Sequence, residues 1–237
     1  MKVIIASRMS SSRLPGKALR PIFKNKTMLD VLVHRINQSK LVSGIILATS
    51  DHESDDPLVS WAEKKGVDCF RGSLDDVLGR LNSCLKQKKV KNFLEILGDN
   101  PLVDPQDIDR CIKTFEDGHY DYVATSTTEY DYAEVEKSYP VGIRVQCMKS
   151  TLIENASRDF LDAHNREHSS SFIYSKDNGY KTKLIEYPHN IIKDAYKLNL
   201  AVNTASDFSR TTNILQACGL DATIDKILEY VFASNKI

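Results

Sequence analysis

Three cations and four hydroxyls crowd into eleven residues near the start of the chain, Ser7-Arg8-Met9-Ser10-Ser11-Ser12-Arg13-Leu14-Pro15-Gly16-Lys17. Such a set can hold a polyanion. Arginine grips phosphate as a bidentate fork, lysine acts as a point charge, and hydroxyls and loop N–H groups add donors. Pro15-Gly16 sets a turn that can carry Lys17 back over the loop. The pattern is not a P-loop, because Ser11 stands where the first glycine belongs and Ala18 follows the lysine. A solvated basic loop is the plain alternative.

Two further segments carry chemistry. In Leu97-Gly98-Asp99-Asn100-Pro101, a carboxylate follows an apolar run and precedes a proline turn. Asp99 there can be a Mg²⁺ ligand or the head of an Asx-turn. In Arg71-Gly72-Ser73 and Asp75-Asp76-Val77-Leu78-Gly79-Arg80, the turn at Gly72 could admit a nucleobase beside Asp76 or Arg80. The same residues also suit a capped helix with a solvated face, which is the favoured reading of that segment alone. His164-Asn165-Arg166-Glu167-His168 matches the inverted zincin pattern HxxEH, but no third ligand accompanies it.

These groups need elements to place them. Residues 2–6, 45–48, 67–70, 93–97 and 120–124 are short apolar runs that read as buried strands. Between them, apolar residues recur at helical spacing: Met28, Leu29, Leu32, Val33 and Ile36; Leu58, Trp61 and Ala62; Leu74, Val77, Leu78, Leu81 and Leu85; Ile108, Cys111, Ile112 and Phe115. Thr27, Asp56-Pro57 and Asp104-Pro105 are helix starts, and Gly66 and Gly118 are stops. Strands apolar on both faces, alternating with amphipathic helices, predict an α/β fold with a mostly parallel sheet covered on both sides. A polar insertion at 126–138 breaks the rhythm. A strand near 141–146, a helix near 149–164, polar strands near 180–187 and helices near 206–218 and 223–233 follow. The expectation is a single domain over 1–237, in which 126–200 forms a smaller lobe. Ligands of open parallel sheets bind beyond the carboxyl ends of the strands, where the cationic loop, Arg71 and Asp99 all fall.

Composition narrows the partners. The 237 residues hold 32 basic and 32 acidic side chains, so the formal net charge is zero. This balance argues against broad electrostatic binding to nucleic acid or an anionic membrane. No apolar run approaches the roughly 18–20 residues of a membrane span, and the first run is too short for a signal core. Five cysteines, with no CxxC pair, disfavour a disulfide framework and point to a reducing cytoplasm.

The residues from Ile4 to Lys17 resemble the N-terminal signature of the CMP-sugar-acid synthetases, which include the Kdo and acylneuraminate cytidylyltransferases. The nearest branch is the spore-coat polysaccharide cytidylyltransferase-like proteins. It shares Ala48-Thr49-Ser50 with Asp55-Asp56, Phe70-Arg71-Gly72-Ser73 with Asp76-Val77-Leu78 and Arg80, Gly98-Asp99-Asn100-Pro101-Leu102-Val103-Asp104-Pro105, Tyr139-Pro140-x-Gly142 and Arg166-Glu167-His168. The resemblance implies a glycosyltransferase-A-like, Rossmann-related nucleotidyltransferase that moves CMP from CTP to a small anionic acceptor with Mg²⁺. It implies a triphosphate held by Arg8, Ser10, Ser11, Ser12, Arg13 and Lys17, and a cytidine near Thr49, Arg71, Gly72, Asp76 and Arg80. Arg13, Lys17 and Asp99 would be catalytic, and Tyr139, Arg166 and His168 would lie at the acceptor. A homodimer paired through the smaller lobe is also implied.

One departure stands out. Where the family has Arg-Leu-x-Val-Asp-Thr-x-x-Asp, this chain reads Asn199-Leu200-Ala201-Val202-Asn203-Thr204-Ala205-Ser206-Asp207. The second metal carboxylate is thus Asn203, a weaker ligand for a hard cation, and Asp207 or water is its expected substitute. Two other functions compete. A nucleotide-sugar glycosyltransferase would carry a DxD-like motif, which Asp51-His52-Glu53 and Asp131-Tyr132-Ala133 do not make. A non-catalytic nucleotide-binding homologue is the other.

Overall fold

Local chemistry starts most of the helices. In the computed structural model, which describes residues 1–11, 13–127, 139–160, 162–174, 179–187 and 194–234, Thr27 and Asp30 form a reciprocal capping box. Asp104 accepts from Gln106 N–H at 2.8 Å, and the proline behind it has no N–H to leave unpaired. Gly66 ends its helix in the left-handed region at φ 65°, where a glycine carries no Cβ penalty.

The strands are β1 (Lys2–Ala6), β2 (Pro21–Phe23), β3 (Lys26–Thr27), β4 (Gly44–Ser50), β5 (Asp68–Gly72), β6 (Asn92–Leu97), β7 (Tyr122–Thr125), β8 (Gln146–Lys149) and β9 (Thr182–Ile185). The α-helices are α1 (Met28–Ile36), α2 (Asp56–Lys65), α3 (Val77–Gln87), α4 (Pro105–Asp117), α5 (Ser150–Asp159), α6 (Ala163–Glu167), α7 (Ala205–Cys218) and α8 (Ile224–Ala233). Among the described residues, seven strands form one sheet in the order β5-β4-β1-β6-β8-β7-β9. Only β8 runs against the others, so the predicted mostly parallel α/β architecture stands. β1 lies centrally, with Ile4 opposite both Ile46 and Glu95. Its Val3 and Ile5 join the core on one face and Ile4 joins the core on the other. This two-sided burial explains why the strand is apolar from Val3 to Ala6.

The second half departs from the expected elements. The strand expected near 141–146 enters the sheet later, as β8. Gly142 adopts φ 93°, and a Cβ there would lie 2.0 Å from the Ala201 nitrogen. The chain first pairs with 198–200 instead, with Val141 N–H on Leu198 O (3.0 Å) and Leu200 N–H on Val141 O (2.7 Å). The helix expected over 149–164 divides into α5 and α6. Phe160 turns extended, and Asp162 caps a new start by accepting from Asn165 N–H at 3.0 Å. The hairpin β2–β3 carries no alternating pattern and was not expected. The polarity of the 180–187 segment reflects the edge position of β9.

All five cysteines are free thiols, and Cys84, Cys111, Cys147 and Cys218 are buried. A polar junction lies between α4 and the returning chain. Tyr139 is fully buried; its hydroxyl donates to Asp107 Oδ1 at 3.1 Å, and Arg110 donates to both Tyr139 and Asp107. Burial pushes the Asp107 carboxyl up to about 6, against the pull of Arg110.

Two predictions follow from these contacts. Gly142→Ala should destabilise by more than about 2 kcal/mol, lowering Tm by roughly 4–8 °C, because both its φ and the Ala201 backbone oppose a side chain. Between about pH 4 and 6 the folded chain holds a proton on Asp107 that the unfolded chain has released. By linkage this group's contribution to stability falls as pH rises through that window. Asp107→Asn should remove that part of the slope in Tm measured against pH, and an unchanged slope would refute the assignment.

Candidate active site

β1 ends at Ala6, and the cationic loop begins there. Met9 organises it: its carbonyl accepts from Ser11 N–H at 2.9 Å and from Gly16 N–H at 3.0 Å. Gly16 sits at φ 72°, a conformation that favours glycine. Lys17 then opens a single 3₁₀ turn, and its ammonium points back across the strand ends. It donates to Val202 O at 2.7 Å and meets Asp99 Oδ2 and Asn203 Oδ1 at 3.4 Å each.

The loop is held from below by Asp55, which is fully buried. Its Oδ1 accepts from Met9 N–H at 2.7 Å. Its Oδ2 accepts from Ser50 N–H and Thr49 Oγ1, each at 3.0 Å, and from the Ser50 hydroxyl. Burial alone would raise its pKa, but the donors from Ser50, Met9 and Thr49 outweigh it and hold the carboxyl below the ordinary carboxylate value.

A cleft of about 330 Å³ opens above these strand ends. The loop contributes Ser7, Arg8, Ser11, Arg13 and Lys17; α3 contributes Val77 and Arg80; the end of β6 contributes Leu97, Gly98 and Asp99. Glu167, His168 and Asn203 close the far side. Gly98 permits this convergence, because a Cβ there would lie 2.7 Å from Ser7 Oγ. Arg80 is buried and donates to Ser73 O at 2.6 Å and Leu74 O at 3.3 Å. Arg8 also reaches Leu74 O, at 3.4 Å, and pairs with Glu167 at 3.6 Å. Burial, and then the neighbouring Arg8, pull the Arg80 pKa down. The two guanidiniums thus converge on the Leu74 carbonyl at the edge of the cleft.

Of the residues singled out in the sequence, Arg8, Ser11, Arg13, Lys17, Arg80, Asp99, His168 and Asn203 line this cleft. Several others do not line the cleft. Ser10 is exposed beside it, and Ser12 lies outside the described residues. Thr49 is buried with its hydroxyl on Asp55. Arg71 turns away, donating to Ser50 O and His52 O at 3.0 Å and pairing with Asp56 at 2.8 Å. Gly72 packs against Arg80, where it leaves room for that side chain. Asp76 caps α3 through Gly79 N–H at 2.8 Å and holds Arg166 at 3.0 Å, while Arg166 also donates to Ser157 O at 2.9 Å. This pair braces the wall that carries His168. Tyr139 stays in the junction with Asp107.

Asp207 corrects another expectation. Its Oδ2 accepts from Asn203 N–H (3.0 Å), Thr204 N–H (2.8 Å) and the Thr204 hydroxyl (2.9 Å), and its Oδ1 from Arg210 (3.0 Å). Both oxygens serve the start of α7, so Asp207 orients Asn203 and does not face the cleft as a ligand. Asp55 and Glu167 carry no assigned role in the sequence reading. Asp55 appears there only within the family motif Asp55-Asp56, and Glu167 within Arg166-Glu167-His168.

The donor set fits a hard cation that brings its remaining ligands from a phosphate. Asp99 Oδ1 is buried at the cleft with no hydrogen-bond partner, and the Asn203 amide oxygen lies near the same lysine. Mg²⁺ characteristically takes one or two protein carboxylates plus substrate phosphates and water. Among the described residues, no three His, Cys, Asp or Glu side chains gather as a self-sufficient metal cage.

Comparison with known proteins agrees with this geometry. The cytidylyltransferase family model matches residues 2–181. The spore coat polysaccharide biosynthesis protein SpsF of Bacillus subtilis is 33% identical over 221 residues, covering 91% of this chain and 86% of that one. The 3-deoxy-manno-octulosonate cytidylyltransferase of Bdellovibrio bacteriovorus is 31% identical over 156 residues, 64% of this chain and 61% of that one. The structure of a cytidylyltransferase from Leptospira borgpetersenii superposes with a TM-score of 0.87 at 22% identity, over 99% of this chain and 94% of that one. With a loop of three cations at the end of β1, a carboxylate at the end of β6 and a family match that runs through both, the chain belongs to the cytidylyltransferase family.

Proposed function

We propose that this protein transfers CMP from CTP to a small anionic acceptor and releases pyrophosphate. The observation that carries this reading is the meeting of Arg8, Arg13, Lys17 and Arg80 with the unpartnered Asp99 oxygen in one cleft. An acceptor oxygen attacks the α-phosphorus, a new P–O bond forms, and the bond to the bridging oxygen breaks, leaving its electron pair on pyrophosphate. Catalysis is then mainly positioning and charge neutralisation. Lys17 and Arg13 stabilise the charge that builds on the leaving group, and Arg8 and Arg80 hold the polyanion against the wall. Mg²⁺, where bound, would take Asp99 and the Asn203 amide oxygen and neutralise phosphate oxygens.

The acceptor side is proposed at Glu167 and His168, braced by the Arg166–Asp76 pair. The relative from Bdellovibrio is named for a sugar acid, and SpsF for polysaccharide biosynthesis. Both support a sugar acid or a similar anion as the acceptor class, used in surface polysaccharide synthesis. Asn203 favours a second reading, binding without turnover, because it replaces a carboxylate by a neutral amide.

Pyrophosphate release measured with CTP, Mg²⁺ and a panel of sugar acids separates these readings. Lys17→Ala and Asp99→Asn should each lower turnover roughly 10²–10³-fold, by analogy with removal of one transition-state donor. Wild-type rates in either variant would sink the assignment, and CTP binding with no release across the panel would favour the binding protein. Asn203→Asp should lower the Mg²⁺ concentration needed for half-maximal rate; an unchanged requirement would mean that Asn203 does not touch the metal.

A further inference from the structure

The geometry points to Asp55 as the positioning residue of the nucleotide loop, a proposal that rests on the CTP reading above. Asp55 stands at the position that normally caps a helix, just before α2, where an aspartate side chain ordinarily accepts an N–H of the first turn. It makes no such bond. Its carboxylate turns the other way and is fully buried between the end of β4 and the cationic loop.

The two oxygens divide the work. Oδ2 collects the Ser50 amide, the Ser50 hydroxyl and the Thr49 hydroxyl, which fix the carboxylate to the sheet. Oδ1 is left for one donor, the Met9 amide at 2.7 Å. Met9 in turn holds Ser11 and Gly16 through its carbonyl. Arg8 precedes this fixed point, Ser11 and Arg13 follow it, and Lys17 follows Gly16. The sheet therefore fixes the middle of the loop through this carboxylate. Asp55 also contributes favourable charge to Arg80 on the opposite wall.

An asparagine cannot reproduce this arrangement. With its carbonyl oxygen kept toward β4, its NH₂ faces the Met9 N–H, donor against donor; flipped, it abandons the three donors of β4. In the full chain, Asp55→Asn should weaken CTP binding roughly tenfold or more, the usual range for loss of a charge-assisted hydrogen bond. It should also speed amide hydrogen exchange in residues 8–17. Thr27→Ala removes the side-chain cap of α1, which does not line the cleft, and leaves the Asp55–Met9 contact untouched. It should lower Tm while CTP affinity stays within about twofold.

Should Asp55→Asn fail to fold, replacing Met9 by its α-hydroxy acid analogue converts only the N–H into an ester oxygen. That variant should show the same loss of affinity. Calorimetric titration with CTP, exchange mass spectrometry and thermal melts read all three variants. Wild-type affinity in both loop-directed variants would overturn the proposal, as would Thr27→Ala losing affinity in step with its Tm. If the wild-type chain binds no CTP, the functional reading fails and loop exchange alone decides the latch, with unchanged exchange overturning it.

Discussion

A lysine whose side chain is only 13% exposed cannot leave its ammonium without acceptors, and the arrangement of the site follows from satisfying this one. Lys17 Nζ takes oxygens from the end of β6 and from the segment before α7, which lies 185 residues away along the chain. Val202 N–H donates back to Asp99 O at 2.9 Å, so the two acceptor segments are clasped to each other as well. The C-terminal part of the chain must dock against the sheet ends before the ammonium is satisfied. Gly142 permits that approach, because a Cβ there would collide with the backbone of Leu200 and Ala201.

Electrostatics is local here. A chain with no net charge still gathers Arg8, Arg13, Lys17 and Arg80 around one cleft, opposed there by Asp99 and Glu167. Like charges held close and partly dehydrated favour an anion that neutralises them. The neutral total describes the chain as a whole. It carries no information about a concave site where fixed dipoles and low dielectric strengthen each contact.

Much of the framework was legible in sequence because it is set by local rules. Helix α1 begins and ends where the Thr27 cap and the apolar spacing place it, and α4 begins behind Asp104-Pro105. The loop cations and Asp99 were legible because a residue just past a buried parallel strand must emerge at the ligand side. Thr49, Arg71 and Asp76 sit at those same ends yet serve the scaffold. Spacing placed them at the right edge of the sheet, but their partners are Asp55, Asp56 and Arg166, and no local pattern announces such pairings. Tyr139 and Asp207 were read from family resemblance, and both are occupied by other hydrogen bonds, Tyr139 with Asp107 and Asp207 at the start of α7.

The amino-acid sequence by itself determined the alternation of strand and helix, the points where helices start, and the end of the sheet at which chemistry collects. Those depend on side-chain period and on backbone donors a few residues apart, interactions that close within one turn or one strand. Tertiary structure alone decided which carboxylate faces a loop amide, which caps a helix and which keeps an oxygen open to the cleft. A side chain's role is set by the donors that surround it once distant segments pack. Asp55, Asp99 and Asp207 have the same carboxylate, and the fold gives them three different sets of neighbours.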